Sequence, residues 1–570
     1  MCNRLLGYIV LALIIPITSH AQKRSRGASE PWWKHAVFYE IYPRSFQDTD
    51  GDGVGDLKGI TSRLDYLKGL GVDAIWIAPC SPSPLVDFGY DVSDYDAIDP
   101  QFGTMADFDR LVSEGMKRHI RILLDMVANH SSDQHPWFVA SRSSRNDPKR
   151  DWYIWRDGKL DKGGMMGQPN NWHSVFGGSA WTLDPTTGQY YYHRFFAQQP
   201  DLNWRNPAVE KAMFDQMRFW LDRGVAGFRL DSIDVLLEDP GLGDEDFRHD
   251  AKGELVHDRT GAPMTTGDKT SNLPEIHDII RRMRAMMDSY SADRVLIGEA
   301  YLPNAMELDK WYGGAAKDEL HLPMDTQVAL RNPLNPEAWR KRLEEAETSL
   351  HDSIPLLVYD NHDNNRLDRF CRETMGAAPG ADCQQIQKML ETILFTSRAS
   401  ALMYYGDEIG MTTAPRPAEM ARGRDSERTP MQWTPGKNAG FSTAESTWLP
   451  VEPNYSTVNV ETEEKDPNSL LRWHKSLIAL RRMNPVLRSG DQKMFSAGND
   501  KIVAYTRNAG AKQIIVITNF SGTVQEVTMG ALAAKKVRTL QANFAPDIVG
   551  GRIKSTLRLP AYGAFVGEID

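Results

Sequence analysis

The chain has 570 residues, of which 41% are hydrophobic and 25% are charged, a composition typical of a folded globular protein. A chain of this length is too long to fold around one small hydrophobic core, so two or three domains are expected. Acidic side chains outnumber basic ones by 76 to 66, giving a formal net charge of -10. That balance argues against nucleic acid or an anionic membrane surface as a partner and leaves a neutral small-molecule substrate open.

The first thirty residues have the features of a secretory signal followed by a polar linker. Arg4 supplies positive charge, residues 5–17 form an apolar stretch, and the residues at 19–21 provide a small-residue cleavage site. The stretch is short for a transmembrane helix; an uncleaved anchor is the alternative. We therefore expect a signal peptide at 1–21, a linker at 22–30, and a secreted or periplasmic protein with no membrane contact after cleavage.

The cysteines suit an oxidising compartment better than a metal site. Of the four, Cys2 would leave with the signal peptide, so the mature chain would keep Cys80, Cys371 and Cys383. The last two flank a loop rich in Gly, Ala and Pro and are candidates for a local disulfide. None of the three has the spacing of zinc ligands or a partner that would mark a nucleophile.

From residue 32 onward, short apolar runs alternate with helical patterns. This rhythm predicts parallel strands joined by helices. The eight predicted strands lie at residues 37–41, 74–77, 120–127, 227–230, 295–298, 320–324, 355–359 and 401–405. Eight parallel strands favour an α/β fold of the closed (β/α)8 TIM-barrel type over an open doubly wound sheet, and no Gly-rich dinucleotide fingerprint supports the open sheet.

Two segments interrupt the barrel rhythm, and a third follows it. Residues 131–200, rich in Trp, Gly, Asn and Tyr, predict a subdomain inserted after strand three that forms a wall of the barrel mouth. Residues 238–272 predict a flexible loop over the same mouth. The barrel itself would comprise 31–130 and 201–484. Short alternating runs separated by turn residues then predict a C-terminal antiparallel β-sandwich domain at 485–570.

Three of the predicted strands lead into carboxylates. Asp231, Glu299 and Asp363 follow the fourth, fifth and seventh strands, whose carboxyl ends meet at one mouth of a barrel. The alternative is structural, because an acid is also common at a strand end where the chain leaves the core and reaches solvent. Further polar residues at matching strand ends favour an active site instead: Arg229, His130 and His362.

The segment after the first strand predicts a cation site. Its oxygen donors fall on alternate residues, and Gly53 allows a sharp turn, an arrangement that suits Ca²⁺. The pattern follows an EF-hand loop through its ninth position, but the twelfth is Gly59 instead of a bidentate Glu. We expect a structural Ca²⁺ here, with a solvated acidic turn as the alternative. The candidate ligands are Asp48, Asp50, Asp52, Val54 and Asp56.

Four segments resemble the signature regions of the α-amylase-type glycoside hydrolases, family 13. They are residues 125–130 (Asp-Met-Val-Ala-Asn-His), 227–231, 298–300 and 361–363. Two more segments, residues 89–91 (Gly-Tyr-Asp) and 428–433 (Arg-Thr-Pro-Met-Gln-Trp), resemble the oligo-1,6-glucosidase and α-glucosidase branch of that family. The calcium-type loop resembles that branch as well. The resemblance runs from about residue 32 to the C-terminus.

The resemblance implies a role for each acid. Asp231 would be the nucleophile, Glu299 the general acid/base and Asp363 the transition-state stabiliser. A retaining glycosidase needs one ionised carboxylate and one protonated carboxyl, roughly 5 Å apart, on the two sides of the scissile bond. Arg229 should hold Asp231 ionised, while a dry setting and neighbouring negative charge should raise the pKa of Glu299.

The resemblance also implies substrate-binding residues. His130 and His362 would bind sugar hydroxyls in the first subsite, beside the arginine of the fourth strand. Asp91 and Arg428 would close the far end of that subsite and hold the non-reducing glucose. Arg424 would either assist them or have a structural role. A closed end predicts exo action on short chains.

We therefore expect a retaining, exo-acting α-glucosidase that releases α-glucose through a covalent glycosyl-enzyme. The small Ser232 beside the nucleophile favours maltose and short malto-oligosaccharides over isomaltose, with sucrose as a further candidate. The main alternative is a sucrose isomerase or trehalose synthase-type glucosyl transferase, whose motif the segment 366–369 (Arg-Leu-Asp-Arg) resembles. A catalytically inactive transporter-associated relative is a third possibility that the intact acids disfavour.

Overall fold

The computed structural model describes residues 30–160, 165–258, 261–290, 293–350, 352–375, 381–415, 424–533 and 535–570. The predicted signal peptide and all but the last residue of the predicted linker lie outside these described residues. Trp32–Asp570 forms one compact unit. Across the described ranges, no helix combines the length and the apolar character that a membrane span requires.

Eight parallel strands close into a barrel and follow one another in sequence order around it. They are β1 (Val37–Ile41), β2 (Ala74–Ile77), β3 (Arg121–Met126), β4 (Gly227–Leu230), β5 (Val295–Gly298), β6 (Leu322–Asp325), β7 (Leu356–Val358) and β8 (Ser400–Tyr404). Val37 of β1 lies opposite Ala401 of β8, and this pairing closes the cylinder. The predicted TIM-barrel fold is confirmed, with strand ends within a residue or two of the predicted ones.

Apolar residues at alternating strand positions fill the barrel. Phe38 of β1, Trp76 of β2 and Leu123 of β3 belong to one buried cluster. Successive side chains of a strand point to opposite sides, so the intervening apolar residues pack against the surrounding helices. Gly227 at the start of β4 has no room for a side chain, because a Cβ atom there would lie 2.0 Å from the carbonyl oxygen of Val295.

Helices surround the barrel, and several begin at side-chain caps. Asn206, Asn335 and Ser469 each accept a hydrogen bond from a backbone N–H of the first turn, and Thr104 forms a capping box with Asp107. The α-helices are Pro43–Phe46, Leu57–Ser62, Leu64–Leu70, Met105–Lys117, Pro136–Ser143, Pro207–Asp222, Ile276–Tyr290, Ala305–Trp311, Pro336–Ser349, Asp368–Met375, Ala381–Thr396, Val460–Lys465, Leu470–Met483 and Pro485–Ser489.

The chain between β3 and the helix Pro207–Asp222 carries structure that is not part of the barrel. It contains the helix Pro136–Ser143 and short antiparallel strands. Trp172, Trp181 and Tyr192 form its buried aromatic cluster. Its strands are Trp155–Arg156, Gln189–Tyr192 and Trp181–Asp184 in one sheet, and Lys159–Leu160 and Met166–Gly167 in a separate pair.

The segment 238–272, which follows β4, lies against this inserted region. The indole Nε1 of Trp172 donates a hydrogen bond to the carbonyl oxygen of Gly243 at 2.9 Å. The imidazole Nε2 of His173 lies 2.9 Å from Oδ2 of Asp258. The loop after β4 and the segment inserted after β3 therefore contact each other directly.

The C-terminal part of the chain is an antiparallel β domain, as predicted. Its five-stranded sheet faces a smaller sheet, and the buried cluster between them includes Ile515, Val527, Leu557 and Phe565. The large sheet has the order Asp491–Met494, Ile502–Ala509, Lys512–Asn519, Ala564–Ile569 and Val537–Ala542, and the smaller sheets pair Gln525–Thr528 with Thr556–Leu559 and Ile548–Val549 with Arg552–Ile553.

The structure joins Cys371 and Cys383 in a disulfide across a separation of 12 residues. Cys80 is a buried free thiol, and burial raises its pKa to about 12, so it stays protonated. The candidate disulfide is therefore present, and the remaining thiol has no thiolate character.

Candidate active site

One buried arginine joins two of the three predicted acids at the mouth of the barrel. The guanidinium of Arg229, on β4, places Nη1 2.6 Å from Oδ1 of Asp231 and Nη2 2.5 Å from Oε2 of Glu299. Its Nη1 also donates to both carboxylate oxygens of Asp125, on β3, at 2.9 Å. The register explains this, because Asp125 pairs with Arg229 across β3 and β4. Residues at three neighbouring strand ends thus converge on one cation.

The two acids beside Arg229 have strongly shifted pKa values. Burial raises the pKa of Glu299 to about 7; Arg229 opposes this shift and the charge of Asp231 reinforces it. Burial likewise raises the pKa of Asp231 to about 7 against the effect of Arg229. Arg229 therefore limits the shift of Asp231 without cancelling it. Because the two groups interact, near neutral pH the pair favours one ionised and one protonated carboxyl.

The backbone after β4 positions Glu299. Ser232 has left-handed backbone angles (φ 42°, ψ 47°), and its N–H donates a hydrogen bond of 3.1 Å to Oε2 of Glu299. Few residues other than glycine adopt this conformation, which is often retained at functional sites. The residue after the predicted nucleophile therefore fixes the orientation of the second acid through its main chain.

Asp363 lies in a different electrostatic setting. Its Oδ1 accepts hydrogen bonds from Arg424 at 2.6 Å and from Arg428 at 2.8 Å, and its Oδ2 lies 3.3 Å from Nε2 of His362. Burial acts to raise the pKa of Asp363, but the positive charges of Arg424 and Arg428 outweigh it and hold the pKa well below its usual range. Asp363 is therefore ionised at every physiological pH.

His362 is held on several sides within the protein. Its Nδ1 lies 2.5 Å from Oε1 of Glu40, on β1, and its Nε2 lies 2.7 Å from the hydroxyl of Tyr90. The ring stacks on Tyr90 at 5.3 Å and on Tyr42 at 6.0 Å. Burial lowers the pKa of His362 well below its usual range and raises that of Glu40, so the imidazole is neutral. Sequence analysis missed Glu40, although a lone acid in an otherwise apolar strand is a recognisable signal.

His130 connects the barrel mouth to the inserted segment. Its Nε2 lies 3.1 Å from the carbonyl oxygen of Tyr90 and 3.1 Å from Nε2 of Gln199, and its ring lies 5.1 Å from that of Phe195. Burial lowers its pKa to about 4, so this ring is also neutral at physiological pH. Gln199 and Phe195, which the sequence analysis did not single out, therefore form part of the same wall.

At the far end of the first subsite, the structure differs from the predicted pairing of Asp91 with Arg428. Asp91 does not meet Arg428, because its carboxylate accepts hydrogen bonds from Ser83 Oγ at 2.7 Å and from the backbone N–H groups of Val86 at 2.9 Å and Asp87 at 3.0 Å. These contacts fold the loop after β2 and leave Asp91 fully buried.

Asp87 occupies the position predicted for Asp91. Its Oδ1 accepts a hydrogen bond from Nη2 of Arg424, and its Oδ2 accepts one from Gln199 at 3.2 Å. Arg428 also acts electrostatically on Asp87. Asp87 lies two residues before Gly89, with Phe88 between them, so the sequence prediction found the right segment but assigned the role to the acid at its other end.

The segment 366–369 is anchored in the protein interior. Arg366 is fully buried; its Nη1 donates to the carbonyl oxygen of Tyr405 at 2.7 Å. Asp368 accepts hydrogen bonds from both the backbone N–H and the hydroxyl of Thr413 at 3.0 Å. Arg369 donates to the carbonyl oxygen of Ala329. These three side chains hold neighbouring loops together.

The acidic loop after β1 gathers three of the predicted cation ligands. Carboxylate oxygens of Asp48, Asp50 and Asp56 lie within 4.8 Å of one another. Asp52 is not among these clustered acids, and its Oδ1 accepts a hydrogen bond from the N–H of Val54 at 2.8 Å. Gly53 has a φ of 92°, which favours glycine in the turn, and a Cβ atom there would also lie 2.4 Å from the carbonyl oxygen of Ser446. Three hard oxygen donors on one turn match the ligand chemistry of Ca²⁺.

A (β/α)8 barrel with a carboxyl pair bridged by an arginine at its mouth is an arrangement that suits glycoside hydrolysis. The catalytic-domain model of alpha amylase matches residues 40–490 of the chain. The chain therefore belongs to the alpha-amylase family of glycoside hydrolases, family 13, and is a glycoside hydrolase. The family resemblance stated from the sequence motifs is confirmed.

The chain is similar to several named proteins along most of its length. It is 39% identical to an oligo-1,6-glucosidase of Parageobacillus thermoglucosidasius, covering 86% of this chain and 90% of that protein. It is 36% identical to a probable alpha-glucosidase of Rhizobium meliloti (strain 1021), covering 94% and 97%. The solved structure of the trehalulose synthase MutB from Pseudomonas mesoacidophila MX-45 matches with a TM-score of 0.84 at 34% identity, covering 95% and 100%.

Proposed function

We propose that the protein is a retaining, exo-acting α-glucosidase that releases α-glucose from maltose and short malto-oligosaccharides, with sucrose as a further candidate substrate. The observation that carries this proposal is the bridge from Arg229 to Asp231 and Glu299, with both acids titrating near neutral pH. Two carboxyls on one guanidinium are close enough for double displacement, and their shared titration supplies one base and one acid.

In the first step, the carboxylate of Asp231 attacks the anomeric carbon while the glycosidic C–O bond breaks. The carboxyl of Glu299 gives its proton to the departing oxygen, which leaves as the hydroxyl of the second sugar. In the second step, Glu299 takes a proton from water, and the water oxygen attacks the same carbon and displaces Asp231. Two inversions return the α-configuration.

The side chains around this pair would hold the terminal glucose. Asp363 is permanently ionised and stabilises positive charge that develops on the sugar ring. His130 and His362, each held in place by protein partners, would line the first subsite beside the sugar hydroxyls. The pair Asp87 and Arg424 would close the first subsite at its far end, in place of the predicted Asp91 and Arg428. A closed end admits only chain termini, which supports exo action.

A second candidate function is transfer or isomerisation, in which a sugar hydroxyl replaces water in the second step. The structural similarity to the trehalulose synthase MutB favours it. The buried positions of Arg366 and Asp368 weaken the motif argument for it, because neither side chain reaches solvent. Incubation with maltose, isomaltose, sucrose and trehalose, with all products identified, tests both functions. Free glucose supports hydrolysis; isomeric disaccharides from sucrose would support the alternative.

We also propose that the loop 48–56 binds a structural Ca²⁺. Asp48, Asp50 and Asp56 would supply carboxylate oxygens, and Asp52 and the backbone of Val54 would complete the set suggested by the sequence. The ion would neutralise clustered negative charge and fix the loop after β1. The loop takes no part in the proton transfers described above.

We further propose a secreted or periplasmic location. The apolar segment within residues 1–21 supports export, and a disulfide between Cys371 and Cys383 is typical of oxidising compartments. Comparison of the N-terminal residue of the protein recovered from cells and from medium or periplasm tests cleavage after residue 21.

A further inference from the structure

A polar cleft lies outside the barrel, where the C-terminal domain meets two helices of the barrel. The helices Ala381–Thr396 and Leu470–Met483 form two sides, and residues 541–544 form the third. The cleft has a volume of ≈ 500 Å³, within the range of small-molecule sites. None of its lining residues belongs to the active site or to the acidic loop described above.

Both cations of the cleft already hold acceptors of the protein. Nζ of Lys388 donates to the carbonyl oxygen of Asn468 at 2.5 Å, and Nη2 of Arg472 lies 3.1 Å from a carboxylate oxygen of Glu464. No Asp or Glu is among the described residues that line the cleft. A cationic ligand would find no carboxylate in the lining, and an anionic ligand would have to compete with the protein acceptors of Lys388 and Arg472. The lining therefore favours a neutral ligand.

Amide side chains supply the hydrogen-bonding capacity. Asn543 donates to Oε1 of Gln385 at 2.7 Å, which leaves Nε2 of Gln385 as a donor. In the part of the chain that the structure describes, the side-chain amides of Asn468 and Gln541 make no hydrogen bond. An amide offers both donors and an acceptor, as the vicinal hydroxyls of a sugar require.

Aromatic residues complete the lining. The indole of Trp473 and the ring of Phe544 border the cleft. The indole N–H of Trp473 is satisfied by the carbonyl oxygen of Lys388 at 3.0 Å and the residue is only 7% exposed, so its contact with a ligand would be small and apolar. Apolar ring surface beside amide groups suits a molecule with C–H faces and hydroxyl edges.

We propose that this cleft is a second binding site for a neutral oligosaccharide. The choice of an α-glucan chain as the ligand rests on the proposed function, whereas the neutral polyhydroxyl chemistry rests on the cleft alone. A chain held there would keep the enzyme on a polymeric or clustered source of substrate without taking part in bond cleavage.

The test counts bound maltotetraose by isothermal titration of the full-length Asp231→Asn variant, whose active site binds without turnover. We expect two molecules per chain, and one when Gln385→Ala and Gln541→Ala are added. The matched control is Gln384→Ala, which alters an exposed glutamine of the same helix outside the cleft and should leave two. Gln541→Ala alone should weaken maltotetraose binding at the second site at least tenfold. This single variant replaces the double variant in the test if the double variant does not fold.

Three results would overturn the proposal: one molecule bound by the parent variant, two bound by a folded double variant, or saturable binding of inorganic phosphate that the double variant loses. Hydrolysis of an aryl α-glucoside by the otherwise unmodified chain is measured alongside. If the unmodified chain hydrolyses the aryl glucoside but the Asp231→Asn variant binds a single maltotetraose, the cleft proposal is refuted and the proposed function stands. Absent hydrolysis refutes the proposed function, whatever the titration gives.

Discussion

Asp87 and Arg424 form an ion pair that joins the loop after β2 to a segment 337 residues further along the chain. The same guanidinium donates to Asp363 at 2.6 Å. Arg424 thus links the far wall of the site to one of the three acids. A residue in this position affects both the shape of the pocket and the charge beside the substrate.

The first prediction separates Asp87 from Asp91. Asp87→Asn should lower kcat/KM for maltose at least a hundredfold, mainly through KM, because a wall residue that holds the terminal glucose is lost. Asp91→Asn should instead lower the stability by about 1–3 kcal/mol, since an amide cannot accept all three hydrogen bonds made by the carboxylate. The measurements are steady-state kinetics and thermal unfolding of both variants. A stable Asp91→Asn with a raised KM, beside an unaffected Asp87→Asn, would restore the original assignment.

The second prediction concerns the nucleophile. Asp231→Asn should reduce hydrolysis of an activated aryl α-glucoside by more than a thousandfold, because an amide cannot form the covalent bond to the sugar. Such a loss corresponds to about 4 kcal/mol of transition-state stabilisation. Circular dichroism should show an unchanged fold. A folded variant that keeps more than about a thousandth of the rate would mean that another residue is the nucleophile.

The third prediction is the pH profile. Glu299 must be protonated, and its raised pKa of about 7 means that activity is lost as pH rises above that value. Asp231 must be ionised, and its raised pKa of about 7 means that activity is lost as pH falls below it. kcat/KM should therefore be bell-shaped with its maximum near neutral pH, and the two limbs belong to the coupled pair.

A variant assigns the alkaline limb of this profile. Glu299→Gln, assayed with an aryl glucoside whose leaving group needs little protonation, should lose the fall in rate at high pH. If the alkaline limb persists unchanged in Glu299→Gln, a different group must be the acid.

The fourth prediction tests the acidic loop. A cation that binds only the folded state raises its apparent stability, so a chelator should lower the melting temperature while the rate of bond cleavage changes little. Asp50→Ala removes the exposed member of the three-acid cluster and should make the melting temperature insensitive to chelator. Identical melting curves with and without chelator, together with no calcium by elemental analysis, would exclude the ion.

The fifth prediction concerns linkage preference. Ser232→Val should shift the ratio of kcat/KM values toward isomaltose by about tenfold, because a methyl group or two in a pocket is worth roughly 1–3 kcal/mol. Ser232→Ala is the control: it keeps a small side chain and the backbone N–H that reaches Glu299, and should still favour maltose. The left-handed backbone at this position disfavours a β-branched residue, so the melting temperature of Ser232→Val must be measured too. An unmodified enzyme that already prefers isomaltose would refute this prediction.

Several features of the molecule follow from local sequence. Each barrel strand is a short apolar run, and the strand ends that carry Asp231 and Glu299 are set by where those runs stop. Arg229 and Asp231 lie two residues apart, so strand geometry alone places them on one side. The disulfide could be suggested but not deduced, because spacing permits Cys371 and Cys383 to pair without requiring it.

The sequence by itself determined the barrel and the family and put the three candidate acids at strand ends, because strand periodicity and motif order are carried by residues close together in the chain. The tertiary structure decided which acid forms the far wall. Asp87 and Asp91 are four residues apart in one loop, and only the fold of that loop turns one toward Arg424 and the other toward its own backbone. The structure likewise revealed that Glu40 contacts His362: the lone acid in an apolar strand is visible in the sequence, but its partner lies 322 residues away.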